Sequence, residues 1–246
     1  MPDVVLYSLP PVAAGPRTHA WLPRHAPSWL RVFTLRPAGR ENRYTEPAPR
    51  RMEDLVADLG PRLAAHAAAH GRPFLLLGDC GGAFGAYEIG RFLEAKGTAP
   101  RMLAVLKQVA PQARTARRPL HDLPTDDLWS RLRSTNLVSA ELTADRRVFA
   151  LFEKVLRADL ELVETYRWLG VPVGFPVCVL PPAGVAADPA TVVEQWEKAT
   201  TGAVSRLPAP DEPGAISAEL ARLATAWLEP TVRGGEVPEP TRHGRF

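Results

Sequence analysis

Residues 73–87 read PFLLLGDCGGAFGAY. Four apolar residues, Phe74 to Leu77, run without alternation into Gly78-Asp79-Cys80-Gly81-Gly82, and a helical pattern begins at once with Ala83. Such a run predicts a buried strand that turns sharply into a helix. The spacing Gly78-x-Cys80-x-Gly82 is that of a nucleophile elbow, G-x-S-x-G, with cysteine where serine stands. The glycines have a steric purpose: side chains two positions from the strained central residue would collide with the neighbouring strand and helix. The helix that follows points its N-terminus at Cys80, which favours a thiolate, and the Gly81 N–H is placed to donate to an oxyanion. The competing reading is a structural cysteine beside a glycine-rich turn, since free cysteines often belong to the core. The strand-turn-helix context favours the reactive one. Cys178, inside FPVCVL, reads as core.

Outward from the elbow, short apolar runs alternate with helical patterns. Strands are expected at Val4 to Leu9, Leu30 to Leu35, Phe74 to Leu77, Met102 to Leu106 and Phe175 to Leu180. Helices are expected at Met52 to His70, Ala83 to Lys96 and Pro189 to Thr200. Alternation of this kind predicts an α/β fold, a mainly parallel sheet with helices on both faces. Between Gln112 and Gly170 the alternation stops, and three helical patterns follow one another: Thr125 to Ser134, Ser139 to Lys154 and Leu156 to Trp168. An insertion there predicts a helical cap over the sheet's C-terminal edge, where open α/β sheets keep their sites. The expected division is a core of residues 1–111 and 171–229, a cap of 112–170, and a flexible Pro- and Gly-rich tail of 230–246.

Composition removes several classes. The chain has 246 residues, 46% of them hydrophobic, which suits one globular core. No apolar run approaches the roughly 20 residues of a membrane span, and the N-terminus does not read as a secretory signal. Two cysteines make no disulfide framework, so a reducing cytoplasm is the expected compartment. Thirty basic against 27 acidic residues is too even for a nucleic-acid binder. A monomer without metal or cofactor is expected.

In its motifs the chain resembles the type II thioesterases, stand-alone α/β-hydrolases that serve nonribosomal peptide and polyketide assembly lines. The resemblance spans about Leu6 to Leu228. Leu9-Pro10-Pro11, then Leu35-Arg36-Pro37-Ala38-Gly39-Arg40 with Glu46-Pro47, and the elbow carry its first half. Leu120-His121-Asp122-Leu123-Pro124 resembles the start of the family's cap. Leu156-Arg157-Ala158-Asp159 with Glu164-Thr165-Tyr166-Arg167 is similar to its last helix. Trp196 with Thr200-Thr201-Gly202 resembles the segment before the final strand. This order of motifs implies the α/β-hydrolase fold, an oxyanion hole from the Gly81 and Val12 amides, and an acyl or peptidyl carrier protein as partner. The substrate then arrives on the partner's phosphopantetheine, with no nucleic acid or membrane involved.

The sequence departs from the family at all three catalytic positions. The elbow G-H-S-x-G carries Asp79 and Cys80. The acid falls in Pro181 to Asp188, where Val185 holds the usual place and Asp188 lies a few residues late. The histidine should fall in Leu207 to Gly214, and none is there. Replacements are His19, behind the Pro10 to Gly15 loop, and His243, provided the tail folds back. His66 and His70 read as a solvated face, since a zinc pair would need more ligands. His121 reads as capping or packing, and His25 as exposed. Lys107 ends the strand beside Cys80, where thioesterase domains fused to assembly lines place an aspartate. It can favour a thiolate, serve as a base, pair with Asp79, or simply be exposed. Asp79 and Asp188 are the candidate supporting acids. Arg114, Arg117 and Arg118 form a basic patch suited to an acidic carrier, or a solvated face.

A cysteine tolerates loss of the base better than a serine, because its thiol is partly ionised near neutrality and intrinsically nucleophilic. Its acyl-enzyme would be a thioester, about as energetic as the carrier-bound substrate. With no histidine to activate water, transfer or cyclisation is expected over hydrolysis. Two alternatives stand beside it: a degenerate scaffold that binds a carrier or product, and a hydrolase with a displaced Cys/His dyad.

Overall fold

The computed structural model describes residues 3–12, 14–113, 118–135, 137–138, 140–182, 188–207 and 212–228. Six strands form one sheet: β1 (Val4–Leu9), β2 (Leu30–Thr34), β3 (Phe74–Asp79), β4 (Leu103–Leu106), β5 (Val177–Leu180) and β6 (Val204–Arg206). Their order is β2-β1-β3-β4-β5-β6, and every pairing is parallel. β1, β4 and β5 are buried at every residue, which is why they read as unbroken apolar runs.

Alternate residues serve opposite faces. Val5, Tyr7, Leu76, Val105 and Val179 pack with α2 (Met52–His70), α3 (Gly82–Ala95) and Trp196 of α7 (Pro189–Glu197). Leu6, Leu75, Leu77, Ala104 and Cys178 pack on the other side with Leu22 of α1 (Trp21–His25) and with α8 (Pro213–Leu228). The period of two along each strand thus fills both layers. Cys178 is fully buried, as expected.

Between β4 and β5 lie α4 (Thr125–Thr135), α5 (Ala140–Ala144) and α6 (Arg146–Thr165). Leu128, Leu132, Phe149, Leu156 and Leu160 make a hydrophobic cluster of their own, with Val12 packed against it. The expected boundaries inside this segment need correction. The patterns at 139–154 and 156–168 are one short helix followed by one of 20 residues. Asp145 sets the break, its side chain accepting from the Arg147 N–H at 2.6 Å, and no glycine or proline interrupts the chain beyond it. Glu164 fastens α6 to the preceding segment, accepting from the Leu120 N–H (2.8 Å), the His121 N–H (3.1 Å) and His121 Nδ1 (2.5 Å). His121 is therefore a packing residue.

β6 and α8 are not among the elements predicted from periodicity. Two half-exposed residues and an exposed arginine carry too little pattern for a strand, whereas Ile216, Leu220, Leu223 and Ala224 of α8 do show helical spacing and are buried. The anticipated tail lies outside the described residues. Among the described residues, no helix is long and apolar enough to cross a membrane.

Candidate active site

The chain runs from β1 outward to β2 and returns to β3 on β1's other side, so neighbouring strands diverge just beyond their carboxyl ends. Open α/β sheets bind ligands at such a switch point. Here the loop after β1 carries Val12, and the turn after β3 carries Cys80.

Cys80 has φ +50°, a backbone conformation that L-residues rarely adopt. Its N–H donates to the Leu106 carbonyl at 2.8 Å, and its carbonyl accepts from the Ala83 N–H at 3.0 Å, so strand and helix grip the bend from both sides. The flanking glycines act as expected. A Cβ on Gly78 would stand 2.3 Å from Ala83 Cα, and one on Gly82 would stand 2.4 Å from the Pro10 carbonyl oxygen. Only bare backbone fits at either place.

Cys80 and Gly81 line a cavity of about 1670 Å³ together with Val12, Lys107, Val163 and Phe84. Its outer wall includes Arg118, Arg131 and Leu137, all exposed, so it opens to solvent between the sheet and α4. The half-buried sulfur is thus within a chamber. The expectation of an ionised thiol needs correction. Burial pushes the Cys80 thiol up, and the Asp79 carboxylate adds to that; the Gly81 N–H and Lys107 oppose it without prevailing. Burial thus favours the protonated thiol, and Lys107 is the cation that works against it.

Lys107 also has a left-handed backbone, φ +56°, and its N–H donates to the Leu180 carbonyl at 2.7 Å. His19 is fully buried, its Nε2 3.4 Å from Asp79 Oδ2, and it does not line the cavity. Among the described residues no histidine does. Asp188 is exposed, directly before α7 and away from the lining. Arg118 lines the cavity mouth, whereas Arg114, Arg117 and His243 lie outside the described residues. His25 is exposed. His66 and His70 are half-buried, not a solvated face: His66 Nδ1 is 2.7 Å from the Tyr7 hydroxyl, and the two rings stack at 4.1 Å. Burial, helped by the neighbouring His70, pulls the His66 pKa down. Among the described residues no group of three or more His, Cys, Asp or Glu could hold a metal ion.

Three lining residues escape sequence reasoning: Gln108, Val163 and Gln195. They come from three separate segments that only the fold brings together, whereas Arg131 belongs to the basic cap and Glu164 to a motif read from the sequence.

A family model for the thioesterase domain matches residues 5–211. RedJ, a thioesterase from the prodiginine biosynthetic pathway in Streptomyces coelicolor, is 26% identical, with 92% of this chain and 84% of that chain covered at a TM-score of 0.73. ClbQ, from the colibactin NRPS/PKS pathway, is 18% identical with a TM-score of 0.82, covering 92% of this chain and 98% of its own. The type II thioesterase BorB, from the borrelidin biosynthetic cluster, is 22% identical with a TM-score of 0.74, covering 83% and 82%. No curated protein matches in sequence. The parallel sheet with helices around it is the α/β-hydrolase fold.

Proposed function

Because the chain belongs to the thioesterase-domain family, we propose that it is a type II thioesterase-like enzyme of nonribosomal peptide or polyketide biosynthesis. In this reading it takes an acyl group from a carrier-protein thioester onto Cys80 and passes it on by transfer, cyclisation or release. Residues 112–170 serve as the lid, and the cytoplasm is the working compartment.

The observation that carries the reading is a sulfur at a strained elbow, open to a large chamber and shared with a lysine. The carrier's phosphopantetheine thioester enters from the exposed side, past Arg118 and Arg131. Cys80 Sγ bonds to the carbonyl carbon as the thiol proton leaves. Charge gathers on the carbonyl oxygen, toward the Gly81 and Val12 amides. Collapse breaks the bond to the pantetheine sulfur, which takes up a proton, so the exchange of one thioester for another is balanced. A buried, neutral thiol must lose its proton during attack, and the Lys107 charge stabilises the thiolate as it forms. Discharge follows by an amine, thiol or carbanion acceptor. Water, with no imidazole among the described lining residues to activate it, is the poorest acceptor.

Geometry favours a second reading, a non-catalytic binder of a carrier protein or product: the sulfur is half-buried and no histidine is among the described residues that line its cavity. Acylated carrier protein mixed with the enzyme, with and without an added amine, separates the two. The transfer reading predicts amine-dependent multiple turnover that Cys80→Ala abolishes. Binding without turnover in either variant would establish the second reading, and equal turnover with water alone would establish a hydrolase.

A further inference from the structure

Arg40 and Asp159 stand 119 positions apart and meet almost completely buried. Arg40 Nη2 donates to Asp159 Oδ1 at 2.5 Å, with side-chain exposures of 10% and 9%. Arg40 Nη1 donates to the Ala14 carbonyl at 3.1 Å. Ala14 closes a turn, its N–H donating to the Pro11 carbonyl at 3.1 Å, and Val12 sits inside that turn. Arg40 therefore holds α6 with one arm and the Val12 turn with the other.

Its own base is rigid. Arg43, three residues on, donates to both Asp58 oxygens on α2 and to Glu46, and also to the Arg36 carbonyl at 2.8 Å. One turn beyond Asp159 on α6, Val163 closes the circuit. A Cβ on Gly81 would lie 2.7 Å from Val12 Cγ2 and 3.0 Å from Val163 Cγ2, so both valines press on the Gly81 backbone. Arg40, Asp159, Val12, Gly81 and Gly82 all line one gap of about 40 Å³, which places the pair directly behind the elbow.

We propose that Arg40 is a positioning residue: through Asp159 and Ala14 it fixes the Val12 amide opposite the Gly81 amide, coupling α6 to the oxyanion site. The catalytic half of this statement rests on the acyl-transfer reading above; the mechanical half does not. A guanidinium suits the task because its planar fork serves two acceptors at once, which an ammonium on a flexible stem does less well.

Arg40→Lys is the discriminating variant. It keeps the charge opposite Asp159, so no buried carboxylate is stranded, but gives up the second arm. Acylation of Cys80 by an acyl thioester develops an oxyanion, whereas alkylation by iodoacetamide does not. Arg40→Lys is expected to slow acylation at least tenfold while alkylation stays within twofold. Hydrogen exchange of amides 12–15, measured without substrate, should rise at least tenfold. Equal loss in both reactions would mark a merely structural role, and unchanged exchange would overturn the strut. If the unaltered protein is not acylated, yet exchange responds to Arg40→Lys, the transfer reading fails and the strut stands. The pair Arg40→Met with Asp159→Leu guards against misfolding, because it removes both charges together. It should keep a cooperative melt yet show the same split between acylation and alkylation.

Discussion

Cys80 and Lys107 occupy equivalent places on adjacent parallel strands. Each is the first residue past its strand, each has a left-handed backbone, and each sends its N–H to the last carbonyl of the next strand. The pairing register sets Asp79 opposite Leu106, so the two bends lie side by side and both open on the same cavity. A nucleophile candidate and a cation are therefore held together by the sheet itself, independent of loop conformation.

The charges around the sulfur act with opposite sign, which gives a paired test. Lys107 lowers the thiol's pKa and Asp79 raises it. Lys107→Gln should slow iodoacetamide alkylation of Cys80 near pH 8 by roughly two- to fivefold, and Asp79→Asn should speed it by a similar factor. Rates of alkylation against pH, followed by intact mass, read both. Changes in the same direction would show that neither charge reaches the sulfur.

The elbow glycines should be intolerant of even one methyl group. Gly78→Ala drives a Cβ into the Ala83 backbone and is expected to cost about 3 kcal/mol, lowering the melting temperature by roughly 6–12 °C. Gly97→Ala is the comparison: Gly97 has φ +79° but open space around it, so only the backbone conformation, about 1 kcal/mol, is at stake. Calorimetry of the two variants separates steric need from conformational preference.

How much of this was legible in the sequence follows from the range of each signal. The elbow was readable because its strand, glycines and helix are contiguous, and glycine spacing reports a local steric demand. Of the five strands read from the sequence, β1, β3, β4 and β5 stood out because burial on both faces leaves them few polar residues, and β2, with its exposed Arg31, through the apolar Leu30, Val32 and Phe33. β6 is short and half-exposed, so it left no mark. For Cys80 the helix terminus and Lys107 are legible locally and favour a thiolate, whereas the burial that raises its pKa is a property of the fold. His19 was placed near the elbow by its loop, yet its turn points it at Asp79 within the protein and away from the chamber lining.

Alkaline stability should fall in a defined window. Tyr7 and Tyr87 are buried and their phenols are pushed up from 10.0 to about 12 by desolvation. Tyr166, donating to Glu88 at 2.6 Å, is raised as well, by burial first and then by the Glu88 charge. Between pH 10 and 12 the unfolded chain sheds these protons while the folded one keeps them. Stability is thus intact below pH 10 and is lost as pH rises toward 12, by up to about 1.4 kcal/mol per pH unit for each group. Tyr87→Phe should flatten that slope in urea titrations, and an unchanged slope would contradict its share.

The claim on which the functional account turns is that an acyl group comes to rest on one sulfur. Rapid mixing with an acyl-carrier thioester, acid quench, intact mass and peptide mapping measure this directly. The account predicts a single acyl adduct on the peptide holding Cys80, discharged faster by an added amine than by water, and absent in Cys80→Ala. No adduct on the unaltered protein, or an adduct that survives in Cys80→Ala, would contradict it.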